Sequence, residues 1–207
     1  TGKWTSQNAL DLGVPVHTIN AAVDSRIISA LKNERVAAQA ILPGPSPRKP
    51  PDRGAFIDQV RQALSAAMLC AYAQGLAQLQ AGSREYGYNL SLAEVARIWR
   101  GGCIIRAALL EDIRRAYTAN SALPNLLLAE PFRARLLEWQ AGWRAAIQTA
   151  VAGGIPVPAL AHSLAYFDAY RTGRLPANLI QAQRDYFGSH TYRRIDRDGV
   201  FHTEWEA

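Results

Sequence analysis

Apolar residues recur at three- and four-residue spacing through most of this chain, the period of a helix with one buried face. Over 18–42 they fall at Ile19, Ala22, Val23, Ile27, Ala30 and Leu31, which predicts one long helix. Ahead of it, Thr5 reads as the cap of a short helix through Leu12, stopped by Gly13 and Pro15. A second long helix is predicted over 55–82, with Phe56, Val60, Leu64, Met68, Leu76 and Leu79 on its stripe. Ser91 followed by Glu94 has capping-box spacing and opens a shorter helix. Further helices are predicted over 103–117, 132–151 and 159–170, and a last one over 177–187 behind Leu175-Pro176.

The punctuation between these segments is equally readable. The run Pro43-Gly44-Pro45-Ser46-Pro47-Arg48-Lys49-Pro50-Pro51 cannot continue a helix and predicts an exposed loop. Gly101-Gly102 and Gly153-Gly154 interrupt or end their neighbours. No strand-like alternation is seen before the tail, where Asp198-Gly199 sits between short flanks and suggests an extended arm or a small hairpin. The expected fold is all-α: a multi-helix domain over 1–187, then an extended tail over 188–207. Tyr192, Phe201 and Trp205 make that tail too aromatic to float freely. It packs either on its own domain or on a partner subunit, and both readings stand.

Composition narrows the function classes. Hydrophobic residues at 49% and charged residues at 19% exclude a disordered tail and a coiled coil. The net charge is +6, carried by 20 Arg and only three Lys, and Arg is the side chain for bidentate capture of phosphate or carboxylate. Cys70 and Cys103 are far apart, which fits neither a disulfide framework nor a cysteine zinc site and points to a reducing, cytoplasmic setting. No apolar run reaches the ~18–20 residues of a membrane span. The start at Thr1, with neither Met nor a signal pattern, suggests a processed chain or an excised fragment. There is no Gly-x-Gly-x-x-Gly, no phosphate-binding glycine loop, no His-Glu-x-x-His and no Gly-x-Ser-x-Gly. His17, His162, His190 and His202 are scattered, so no metal set and no self-sufficient catalytic constellation is expected.

Cationic candidates remain. Arg26 shares a helical turn with Val23 and Ile27, and reads either as a snorkelling or salt-bridged residue or as a ligand clamp. In Trp99-Arg100-Gly101-Gly102-Cys103-Ile104-Ile105-Arg106, the glycine pair favours close packing or a sharp turn over a ligand role. The segment from Leu179 to Tyr192 is the richest. Gly188 reads as the helix C-cap, turning the chain so that His190 leads away. Arg184 supplies a fixed charge and His190 further donors, enough for a phosphorylated or carboxylated ligand. The plainer reading is a capped helix end with a surface pair between Arg184 and Asp185.

The run Leu175-Pro176-Ala177-Asn178-Leu179-Ile180-Gln181-Ala182-Gln183-Arg184-Asp185-Tyr186-Phe187-Gly188-Ser189-His190-Thr191-Tyr192 closely resembles the C-terminal signature of the decarboxylating 6-phosphogluconate dehydrogenase family. The blocks Thr1-Gly2-Lys3-Trp4-Thr5, Ser29-Ala30-Leu31-Lys32-Asn33-Glu34-Arg35, Tyr72-Ala73-Gln74-Gly75, Asn125-Leu126-Leu127-Leu128 and Gly154-Ile155-Pro156-Val157-Pro158 are similar to family blocks in family order, as is the Trp99–Arg106 segment. The resemblance implies NADP-dependent oxidation and decarboxylation of 6-phosphogluconate to ribulose 5-phosphate by a homodimer. It implies that the cofactor fold, the catalytic Lys and Glu, and a phosphate-contacting Lys lie before Thr1. No catalytic residue is therefore expected within the chain, and Lys3 inherits none of these roles. Three substrate positions carry over: Arg26 to the phosphate, Arg184 reaching the same phosphate from the partner subunit, and His190 of the partner subunit contacting the substrate. Ser189 departs from the Ala of many members, and the 43–51 loop also diverges. A non-catalytic helical dimerisation module is the alternative. A nucleic-acid binder rests on the +6 charge alone and ranks last, because the Arg residues form no continuous stripe.

Overall fold

The computed structural model describes residues 2–47 and 49–205. Thr1 of the N-terminal block, Arg48 of the proline-rich loop, and Glu206 and Ala207 at the end of the tail lie outside the described residues. The described residues form nine α-helices and no strand. In chain order these are α1 (Gly2–Asp11), α2 (His17–Ser29), α3 (Lys32–Ile41), α4 (Arg53–Glu85), α5 (Leu92–Trp99) and α6 (Leu109–Ala119). A short 3-10 turn at Leu126–Leu128 follows, then α7 (Glu130–Ala152), α8 (Pro158–Tyr170) and α9 (Asn178–Gly188). The all-α expectation holds. The residues divide into two compact units, one ending at Tyr166 and one beginning at Phe167.

In the first unit, α4 and α7 form the central pair, with α2 and the 3-10 turn packed on α4, α1 against α2, and α5 against α6. Asp52 caps α4, its Oδ1 accepting from the Ala55 N–H at 3.0 Å, a contact worth about 1 kcal/mol. Trp143, Phe132, Leu69, Leu76, Leu110 and Leu136 are fully buried between these helices. Gly142 lets α7 approach α4 closely. A Cβ there would lie 3.4 Å from the Gln59 Cα and 2.1 Å from Gln62 Oε1.

Several sequence expectations change in detail. The helix expected over 18–42 is two helices, broken at Ala30 and Leu31 without glycine or proline. The Ser29 hydroxyl donates to the Arg26 carbonyl at 2.7 Å, and the Ala30 N–H bonds Ile27 instead, tightening the last turn. Helix α1 begins at Gly2, so Thr5 lies inside it rather than capping it. The helix expected from 103 starts only at Leu109, because Gly102 adopts φ 116° and the following residues form turns. The Ser91 Oγ accepts from the Glu94 N–H at 3.4 Å, while the Glu94 carboxylate pairs with Arg97.

In the second unit the tail does not stand apart from the last helix. Tyr192 and Phe201 form an antiparallel bridge, with paired N–H···O contacts of 2.8 and 2.9 Å. Residues 193–200 close the loop, with Gly199 at φ 121°. The Asp-Gly signal therefore marks a wider turn than a two-residue hairpin. Tyr186 stacks edge-on against Trp205 at 5.8 Å, joining the last helix to the end of the tail.

Candidate functional site

Arg26 belongs to the first unit and projects, exposed, from the last turn of α2. The start of that helix is fixed from within the unit. Gln74 of α4 accepts from the Thr18 N–H at 3.0 Å and donates to Thr18 Oγ1 at 2.9 Å. Thr18 Oγ1 donates in turn to Ser163 Oγ at 3.1 Å, and all three side chains are buried. A satisfied buried polar network of this kind holds one geometry. At the other end, Arg26 Nη1 donates to Ser29 Oγ at 2.9 Å, and Arg35 Nη2 donates to the Ser29 carbonyl at 3.1 Å. Arg26 is thus exposed, and among the described residues it meets Ser29 rather than a carboxylate. Two guanidinium groups meet at Ser29.

Arg184 and His190 belong to the second unit, both exposed, at the end of α9 and just past it. The residue between them that organises the turn is Asp185, which is fully buried. Its Oδ1 accepts from the Thr191 N–H and faces His202 Nδ1, each at 2.9 Å. Its Oδ2 accepts from the Thr203 N–H at 3.0 Å and from Trp205 Nε1–H at 3.1 Å. Burial alone would push this carboxyl up. The donors from His202, Thr203, Trp205 and Thr191 outweigh it and hold it at about 2. An ionised carboxylate in that place keeps the His202 proton on Nδ1. The surface pair between Arg184 and Asp185 is therefore a misreading. Asp185 turns inward to the tail, and Arg184 faces out.

The glycine beside His190 also has a different role from the expected one. The left-handed residue that ends α9 is Ser189, at φ 52°, and Thr191 is left-handed as well, at φ 57°. For a β-branched residue that conformation costs about 1–3 kcal/mol. Gly188 is helical. A Cβ on it would lie 3.0 Å from His190 Nε2 and 3.1 Å from Cδ2, so the glycine makes room for the imidazole ring.

Sequence reasoning missed Asp185. Its four donors lie 6 to 20 residues downstream, and no local pattern links them. Several other Arg residues have carboxylate partners: Arg100, Arg114 and Arg115 converge on Glu111, which Arg114 chiefly holds down at about 2. Arg133 pairs with Glu130 and Arg135 with Asp112. Among the described residues, no group of three His, Cys, Asp or Glu is placed to hold a metal ion. No strand–turn–helix unit is present among the described residues either. An apolar groove of about 720 Å³, lined by Tyr72, Leu79, Tyr86 and Trp99 among others, contains none of the three candidate residues.

The family model described as "6-phosphogluconate dehydrogenase, C-terminal domain" matches residues 1–205. A 6-phosphogluconate dehydrogenase, decarboxylating, of Synechococcus elongatus is 55% identical over 206 residues, covering 99% of this chain and 44% of the relative. The Bacillus subtilis protein named as NADP(+)-dependent and decarboxylating is 53% identical over 206 residues, with the same coverage. A solved Plasmodium falciparum 6-phosphogluconate dehydrogenase, described in apo form and in complexes with NADP+ and with 6-phosphogluconate, superposes with a TM-score of 0.91 at 42% identity. That alignment covers 98% of this chain and 44% of the other. The chain spans less than half the length of the relatives it matches.

Proposed function

This chain belongs to the 6-phosphogluconate dehydrogenase family, as its C-terminal domain, and from that premise we propose that it supplies half of a sugar-phosphate site and the dimer contacts of a decarboxylating dehydrogenase. The reaction is NADP-dependent oxidation of 6-phosphogluconate followed by decarboxylation to ribulose 5-phosphate. One observation carries the reading: the family model runs through residues 1–205, the span that holds Arg26, Arg184 and His190.

In this reading Arg26 and Arg184 hold the substrate phosphate from opposite sides, Arg184 reaching it from the partner subunit. A phosphate dianion takes several charge-assisted donors, and each guanidinium offers a two-pronged set. His190, also from the partner, adds a donor to the substrate and fixes its register. The exposure of all three side chains supports this role, because a ligand must be able to reach them. NADP, held by a domain outside the described residues, supplies the hydride acceptor. The acid and base of the reaction also lie outside.

Homodimerisation is part of the proposal. Ile28, Val36, Ile41 and Leu42 are 56% to 76% exposed in the first unit, and Leu179 and Phe187 are 74% and 80% exposed in the second. Apolar surface of this extent favours a partner. No described helix is long and apolar enough to cross a membrane, and a cytoplasmic location completes the reading.

The test is turnover. A full-length protein carrying this sequence is expected to reduce NADP with 6-phosphogluconate, and the 207-residue chain alone is expected to be inactive. NADP reduction by the purified chain alone contradicts the assignment.

A further inference from the structure

Asp185 holds the backbone on both sides of His190. Its own carbonyl accepts from the Ser189 N–H at 2.9 Å, and its Oδ1 accepts from the Thr191 N–H at 2.9 Å. Ser189 and Thr191 are the two left-handed residues that flank His190, at φ 52° and 57°. Neither is a glycine, so neither takes that conformation without an outside constraint. Gln181 Nε2 donates to the Thr191 carbonyl, so the Thr191 residue is held at both its N–H and its C=O. The second carboxylate oxygen binds the returning limb of the tail through Thr203 and Trp205. Asp185 is fully buried, whereas His190 is exposed.

We propose that Asp185 is a positioning residue: its carboxylate fixes the strained turn that presents His190, so that the imidazole meets the substrate in one orientation. This rests on the reading above, in which His190 is a substrate contact. Asp185 touches no substrate and acts only through the turn. A carboxylate offers acceptors to all four donors. An amide at the same place offers one oxygen and turns an NH2 group toward the remaining N–H donors.

The experiment is a double-mutant cycle on the full-length enzyme, joined to amide exchange. D185N is expected to raise the KM for 6-phosphogluconate about tenfold, with kcat within about threefold and the KM for NADP unchanged. In the His190→Ala background, the same substitution is expected to change KM by less than about twofold, because its route of action is gone. Exchange of the Thr191 amide is expected to be slow in the parent and at least about tenfold faster in D185N. An unchanged KM, or a full additive effect in the His190→Ala background, overturns the proposal. If D185N fails to fold, Gln181→Ala in the same cycle loosens the Thr191 carbonyl alone. It should raise KM about threefold and lose that effect without His190. If the parent enzyme does not oxidise 6-phosphogluconate, the functional reading falls. Exchange then decides separately, and Thr191 exchange that D185N leaves unchanged overturns the positioning role.

Discussion

The two compact units of this chain bury different kinds of side chain. In the first, Trp143, Phe132, Leu69, Leu76, Leu110 and Leu136 are fully buried, and the interior is mainly apolar, with Thr18, Gln74, Gln78, Asn125 and Ser163 as its buried polar side chains. In the second, the buried residues among those described are Phe167 and Asp185, and only the carboxylate is fully shielded. Apolar burial is strong but non-directional. It fixes which helices meet, with shape complementarity setting the details. Hydrogen bonds to one carboxylate are directional, and here they fix four donors around a turn within 2.9 to 3.1 Å. The first unit is a scaffold that carries Arg26. The second is a small device whose geometry at His190 depends on a charge.

The largest expected effect tests the apolar half of that comparison. Phe132→Ala removes a fully buried ring and should cost about 3–5 kcal/mol of stability, read as a large fall in the midpoint of chemical unfolding. A loss below about 1 kcal/mol would mean that the α4–α7 core is not what holds the first unit. Next comes the proposed site. Arg184→Ala in the full-length enzyme should raise the KM for 6-phosphogluconate by about ten- to a hundredfold and leave the KM for NADP unchanged. An equal rise in both would point to a general loss of structure.

The smallest effect is confined to acid. Asp185 sits at about 2 in the folded chain, below its ordinary 3.8, so its contribution is full above about pH 4 and drains as the pH falls toward 2. The Trp205 indole N–H resonance should hold steady from neutral pH to about pH 4 and then move, while resonances of the buried Trp143 stay in place until lower pH. If both move together, the two units are not held by different forces.

The same contrast separates what the sequence showed from what it did not. The long helix α4 was legible because its apolar periodicity and the proline run ahead of it act within a few residues, whereas its Asp52 cap went unread. The break after Ser29 was not, because it is made by a hydroxyl competing for a carbonyl three residues back. Gly188 was legible as special but for the wrong reason. Local rules assign a glycine at a helix end to left-handed backbone, whereas the structure gives that conformation to Ser189 and uses the glycine to seat the His190 ring. Asp185 beside Arg184 looked like a surface pair, since its true donors come from residues 191–205. Arg26, Arg184 and His190 are candidates through family resemblance, and periodicity alone leaves them as exposed polar residues.

The central claim is that Arg26 of one subunit and Arg184 of its partner serve one phosphate, and subunit mixing tests it most directly. Arg26→Ala and Arg184→Ala enzymes, each weakly active at low substrate, are unfolded together and reassembled. If the claim holds, every mixed dimer contains one site with both arginines and one with neither, and random pairing restores about a quarter of the parental activity. If the two residues act within one chain, every site keeps a defect, and activity that stays at the level of the separate variants contradicts the account.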